Sequence, residues 1–204
     1  MEKDPRIEKV QMVINCLYND PEKDKKIKDL QLDWYSLYYL NGDKRSSVYI
    51  RHIDPHGYFV VQVGNVHSYF TSNGNLVIPY WFDGEGDWNG NVCVVTADKK
   101  YNAITRDIEL VWNKPFNEWF DWLSIEDLNG TKYIQVGFKS EEHTCSKSNF
   151  LAPKADATLL SKEWFDNDTT TCSEQDTRRQ ILLLKKYGHW HEAYFNEEGM
   201  LVLD

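Results

Sequence analysis

Long apolar runs are missing from this sequence of 204 residues: nothing in it approaches the ~18 consecutive apolar residues of a membrane span. The opening stretch MEKDPRIEKVQMVINCLYND also lacks the apolar centre and small-residue cleavage pattern of a secretory leader. A cytoplasmic protein with no membrane partner is therefore expected. Cysteine is scarce and scattered. Cys16, Cys93, Cys145 and Cys172 form no C-x-x-C pair, which suits reduced thiols. Without a leader, the Asn-x-Thr patterns at Asn129 and Asn167 read as chance. Basic charge is in deficit, with 23 Lys and Arg against 32 Asp and Glu. A net charge of −9 argues against a general affinity for nucleic acid and makes a basic partner more plausible. Catalytic signatures are absent too: no G-x-S-x-G elbow, no P-loop and no cysteine-protease pattern. No cofactor is expected, and the enzyme question leans toward no.

What is present is an ordinary globular composition, 41% hydrophobic and 27% charged, rich in aromatics and with eight tryptophans. The length fits a single domain, 1–204. Asp4 and Pro5 open a helix whose Ile7, Val10, Val13, Ile14 and Leu17 fall in one stripe, ended by Asp20-Pro21. The same pair can start a second, highly charged helix through EKDKKIKDL. From Gln31 the period becomes two. LDWYSLYYL and SSVYIRHI flank Asn41-Gly42 as a hairpin, and GYFVVQVGN, VHSYF, NLVIPYWF, AITRDIELVW and TKYIQVGF read as strands. NGNLVI and NGNVCV read as successive hairpin turns of one meander. NKPFNEWFDWLSIEDLNG predicts a turn and a short helix near 117–128, closed by Asn129-Gly130. Residues 139–177 read as loop-rich, and the last 27 residues as two or three strands. The fold class is α+β: one or two N-terminal helices packed on a mainly antiparallel sheet.

The stretch PYWFDGEGDWNGN, residues 79–91, concentrates unusual chemistry and admits four readings. A dinucleotide cradle fails, because its glycines are misspaced, a strand-like NVCVV follows where a helix is required, and three acids would repel phosphate. A calcium loop has alternating oxygen donors, but Trp88 stands where the tight turn needs glycine and Val94 where a bidentate Glu belongs. A carbohydrate or small-ligand platform would stack on Trp81 and Trp88, yet acids two apart do not make a glycosidase pair. The fourth reading is a recognition surface for a basic protein, with indoles as anchors and carboxylates as selectors. NEWFDWLSIED has the same character. A helix there would pack Trp119 and Trp122 as core, whereas Trp88, in a glycine-rich turn, is expected to be exposed.

Among the histidines, His52 and His56 are separated by Pro55, which forbids a zincin-like helical pair. His189 and His191 would share one face of a strand and could share a metal, given further ligands. His143 with Cys145 is a weaker suggestion of the same kind. Arg178, Arg179, Lys185 and Lys186 could hold an anion or offset the neighbouring acids. The leading expectation is an acidic binding protein of the immunity or antitoxin type that occludes a basic protein. Its contact residues would be Trp81, Asp83, Glu85, Asp87, Trp88, Glu118 and Asp121. The alternatives are a metal-dependent hydrolase built on His189 and His191, and a small-ligand or carbohydrate module.

Overall fold

The computed structural model describes residues 4–45, 47–128, 131–139, 147–172, 181–196 and 198–203, with Asp87 and a few other strand residues described by backbone alone. The chain divides into two compact units, Met1–Gly84 and Glu85–Asp204.

In the first unit, helix α1 (Pro5–Tyr18) begins where the sequence predicts. The Asp4 carboxylate accepts from the backbone N–H of Arg6 at 2.9 Å, and Pro5 occupies the first turn, where a missing N–H costs nothing. Val10, Val13, Ile14 and Leu17 are buried, the three- and four-residue spacing turning all of them to one side. Helix α2 (Lys23–Leu32) follows and buries only Leu30. The sheet is a meander of β1 (Tyr38–Tyr39), β2 (Val48–Ile53), β3 (Phe59–Val63) and β4 (Val66–Phe70), each antiparallel to the next. Asn41-Gly42 lies in the β1–β2 connection, with Gly42 at φ +72°. The α1 stripe and Leu30 pack with Ile50, Phe59, Val61 and Phe70 to form the core.

In the second unit, β5 (Gly84–Asn89), β6 (Val92–Ala97) and β7 (Lys100–Thr105) make a three-stranded sheet. A seven-stranded sheet runs in chain order from β8 (Trp122–Leu128) through β9 (Thr131–Phe138), β10 (Lys147–Leu151), β11 (Phe165–Cys172), β12 (Ile181–Lys186) and β13 (His189–Phe195) to β14 (Leu201–Leu203). Successive residues of β10 serve different cores: Leu151 packs with Ile134, Val136, Val92 and Phe120, and Phe150 with Phe165, Leu184 and Leu201. Because neighbouring side chains on a strand point to opposite faces, this sheet is buried on both sides at its middle.

The expected α+β content is therefore present, but it is strand-dominated and spread over three antiparallel sheets, not one helix-packed sheet. The helix expected near 117–128 does not form. A single 3-10 turn, Phe116–Glu118, is followed by strand β8, fully paired with β9 from Trp122↔Gly137 to Leu128↔Thr131. Over so short a run, Leu123 and Ile125 satisfy a period of two as readily as Trp119, Trp122 and Leu123 satisfy a period near four, and pairing with β9 decides. Asn129 and Gly130 lie outside the described residues. NLVIPYWF forms no strand; it meets β4 through the isolated bridges Phe70↔Leu76 and His67↔Phe82, with the Val77 N–H donating to the Tyr69 carbonyl and the Ser68 hydroxyl to the Tyr80 carbonyl. The segment 139–177 contributes β10 and β11, and the loop between them, 152–164, is pinned by Ala157 and Leu160. AITRDIELVW is not one strand but β7 folded back on itself, with Ile108 at φ +58° and Ile104 bridging Leu110.

Candidate acidic and aromatic surface

Trp81 is a strut of the first unit. Its indole N–H donates to Asp4 Oδ2 at 3.0 Å, the Arg6 guanidinium lies 4.5 Å over its ring, and Phe70 stands 5.8 Å away. Arg6 also chelates Asp4 through Nε and Nη2, and these bonds, with the Trp81 contact, hold the Asp4 carboxyl down at about 2. The helix cap, the cation and the indole thus form one cluster, which explains why Trp81 is only partly available. Asp83, two residues on, is exposed.

The remaining residues belong to the second unit. The glycine-rich stretch proves to be strand β5, with the turn displaced to Asn89-Gly90-Asn91, where Gly90 adopts φ +66°. Gly86 presents its carbonyl to the buried Cys93 thiol at 3.0 Å, and Glu85 Oε1 lies 3.9 Å from the same sulfur, half-buried. The Asp87 side chain lies outside the described residues. Trp88, expected to be exposed, is half-buried because Arg106 covers it. The Arg106 guanidinium carbon sits 4.1 Å from the ring centroid while its Nε and Nη2 donate to the Gly90 carbonyl at 3.3 and 3.2 Å. Such a contact is a cation–π cap on the indole.

The second acidic and aromatic segment folds as a wrap around two indoles. Trp112 donates to the Glu118 carbonyl and Trp119 to the Lys114 carbonyl, each at 3.2 Å, so both N–H groups fix the 113–119 loop. Trp119 is fully buried, as its apolar setting suggested, though in a loop and not a helix. Trp122 is half-buried and lies flat across Gly137. A Cβ there would approach the indole Cε2 at 2.3 Å and the Lys147 carbonyl at 2.4 Å. Asp121 is engaged as well: Lys100 Nζ donates to one oxygen at 2.7 Å and the Lys139 N–H to the other at 2.8 Å. Burial alone would raise its carboxyl, but the Lys100 and Lys139 bonds outweigh burial and lower it. Glu118 is exposed, joined by Asp98, Asp107, Glu109 and Asp127.

His189 and His191 do stand on β13, one exposed and one half-buried, opposite Lys186 and Leu184. Among the described residues, no group of three His, Cys, Asp or Glu comes together to hold a metal. His143, Cys145, Arg178 and Arg179 lie outside the described residues. Two arrangements escaped the sequence reading. The buried Asn102 and Asn149 each clamp a neighbouring segment onto a strand: Asn102 bonds Ala103 and Trp112, and Asn149 bonds Phe150, Ser161 and Glu163. The second concerns exposed aromatics. Among the described residues Tyr18, Trp34, Tyr35, Tyr187 and Trp190 are the exposed tryptophan and tyrosine rings, and alternation in LDWYSLYYL gave no sign that its first half is not a strand.

No protein-family model, curated protein or solved structure matches the chain.

Proposed function

We propose that the chain is a non-catalytic acidic binding protein that covers the functional surface of a basic protein and so neutralises it, in the manner of an immunity protein, an antitoxin or a nucleic-acid mimic. The observation that carries this reading is how the segment 85–128 uses its few cations. Of its four basic residues, Lys100 is paired with Asp121, and Arg106 is spread over Trp88 and bonded to Gly90. Asp98, Asp107, Glu109, Glu118 and Asp127 meanwhile face solvent. With Lys99 and Lys114 also exposed, the described residues of this segment present five acids against two bases to solvent, and such a surface steers and selects positive partners. The second unit as a whole carries 21 acids against 13 bases.

The contact set accordingly moves from the tryptophans to the carboxylates. Trp81, Trp88 and Asp121 have structural duties, whereas Glu118, Asp107 and Glu109 of the second unit present charge. A pull-down from the source cell, followed by calorimetry with the captured protein, tests the proposal. The captured protein is expected to be basic, with affinity that falls as salt rises. The triple reversal Asp107→Lys, Glu109→Lys, Glu118→Lys should weaken capture and flatten the salt dependence. A neutral or acidic partner, or unchanged affinity in the triple variant, refutes the proposal.

A further inference from the structure

The seven-stranded sheet ends at β8, an edge of seven residues, against three at the β14 end. Hydrogen bonds at the middle of the sheet fix which backbone groups β8 turns outward. On β10, the Phe150 carbonyl accepts from the Leu160 N–H and the Phe150 N–H donates to the Asn149 side chain, so the backbone groups of Phe150 face away from β9. Gln135, opposite Phe150, therefore turns its own toward β8 and Ser124. Leu123 and Ile125, on either side of Ser124, turn theirs outward, and among the described residues no backbone group meets them.

The side chains along this edge alternate in kind as well as in direction. Leu123 and Ile125 reach the core around Ile134, Val136 and Leu151 but stay half-buried, so the apolar layer runs out to the rim. Ser124 and Glu126 stand on the other face. Glu126 accepts from the Ser124 hydroxyl at 2.8 Å, and the residue opposite it on β9 is Tyr133, not a cation. Asp127 is exposed, and Lys132 opposite it is bonded to Asn89. β8 itself carries two acids and no base.

We propose that β8 is extended by a strand of the basic partner, one in which apolar residues alternate with Lys or Arg. This rests on the acidic-binding reading above and names the form its ligand takes. Outward N–H and C=O groups spaced two residues apart match an extended chain, which can bond to both. A strand laid there sets its apolar residues beside Leu123 and Ile125, completing the burial of both, and its cations beside Ser124 and Glu126 on the opposite face. Cross-strand pairs of opposite charge are favourable and like charges directly opposite are not, so the same carboxylates turn acidic strands away.

The test uses the full chain and the peptide acetyl-Lys-Val-Lys-Val-Lys-Val-Lys-amide, with a fully N-methylated version that keeps the charge and loses the backbone donors. Binding is read by titration and by amide hydrogen exchange. The parent peptide is expected to bind and to slow exchange at Leu123 and Ile125. N-methylation of the peptide, or Glu126→Lys/Asp127→Lys in the chain, should each weaken binding at least about tenfold. Unchanged melting curves establish that the charge variant folds; if it does not, the N-methylated peptide decides. Equal binding of the two peptides, or binding without protection of Leu123 and Ile125, overturns strand pairing and leaves the acidic-surface reading standing. No binding of the parent peptide up to about 1 mM overturns it too. The broader reading keeps its own test in Asp107→Lys, Glu109→Lys, Glu118→Lys, none of which lies on β8.

Discussion

Acid should weaken the first unit through His67, and the size of the effect follows from where β4 places that ring. His67 is 4% exposed, with Phe82 and Tyr69 rings 5.8 and 6.1 Å away. Burial depresses its pKa from 6.5 to about 4, the Arg51 charge adds to the depression, and Asp83 opposes it. The native state therefore holds a neutral imidazole, while the unfolded chain takes up a proton at about 6.5. Stability from this group is fully present above pH 6.5. It declines as pH falls below that value and reaches its floor near pH 4, because only the unfolded state gains the proton in that window. At about 1.36 kcal/mol per unit, the loss between pH 7.5 and 4.5 is about 2.5 kcal/mol. His52, also lowered by burial, acts in the same direction. The lowered carboxylates Asp4 and Asp121 shed their contribution only at more acidic pH, since stability from a depressed acid is kept above its unfolded value. Urea unfolding of the wild type and of His67→Phe, followed by circular dichroism at both pH values, isolates the imidazole. The variant should lose less stability across the window by roughly the stated 2.5 kcal/mol. An equal loss in both proteins would refute a buried neutral His67.

Three further outcomes follow from single contacts. Gly137→Ala should cost about 1–3 kcal/mol in thermal or urea unfolding, because the added methyl meets both the Trp122 indole and the backbone carbonyl of Lys147, and a carbonyl in a ladder cannot step aside. Wild-type stability in that variant would mean that Trp122 does not lie across β9. Asn149→Ala removes the acceptor of the Phe150 N–H and the donor to two carbonyls inside the fold, and should cost about 2–4 kcal/mol. Asp121→Asn should cost only about 1 kcal/mol, since the Lys100 pair is a quarter exposed, and the penalty should shrink in high salt. A penalty that salt leaves untouched would assign the effect to the Lys139 N–H bond instead.

How much of this molecule was legible in the sequence depends on whether local rules met competition. Helix α1 was readable because cap, proline and stripe all pointed the same way. β9 and the terminal hairpins were readable because alternation was long and the turns carried glycine, as at Gly188 with φ +81° and Gly199 with φ +74°. The 117–128 segment was not readable, because a seven-residue run satisfies both periods and only β9 breaks the tie. The candidate site divided along the same line. Glu118 and Asp83 are exposed, as charged side chains ordinarily are. Trp81, Trp88 and Asp121 are partly covered by Arg6, Arg106 and Lys100, the last two lying 18 and 21 residues away in the chain and the first 75.

By itself the sequence determined the sign of the charge, the mixed α+β content with antiparallel strands and the first helix, all of which follow from composition or from neighbours a few residues apart. Tertiary structure alone decided which indoles are covered and which carboxylates are neutralised. Those outcomes depend on cations that arrive from other elements: Arg6 from helix α1, Lys100 from β7 and Arg106 from the turn after β7. It also decided that Tyr18, Trp34, Tyr35, Tyr187 and Trp190 are the exposed tryptophan and tyrosine rings among the described residues, because exposure is what remains after every other face has found a partner.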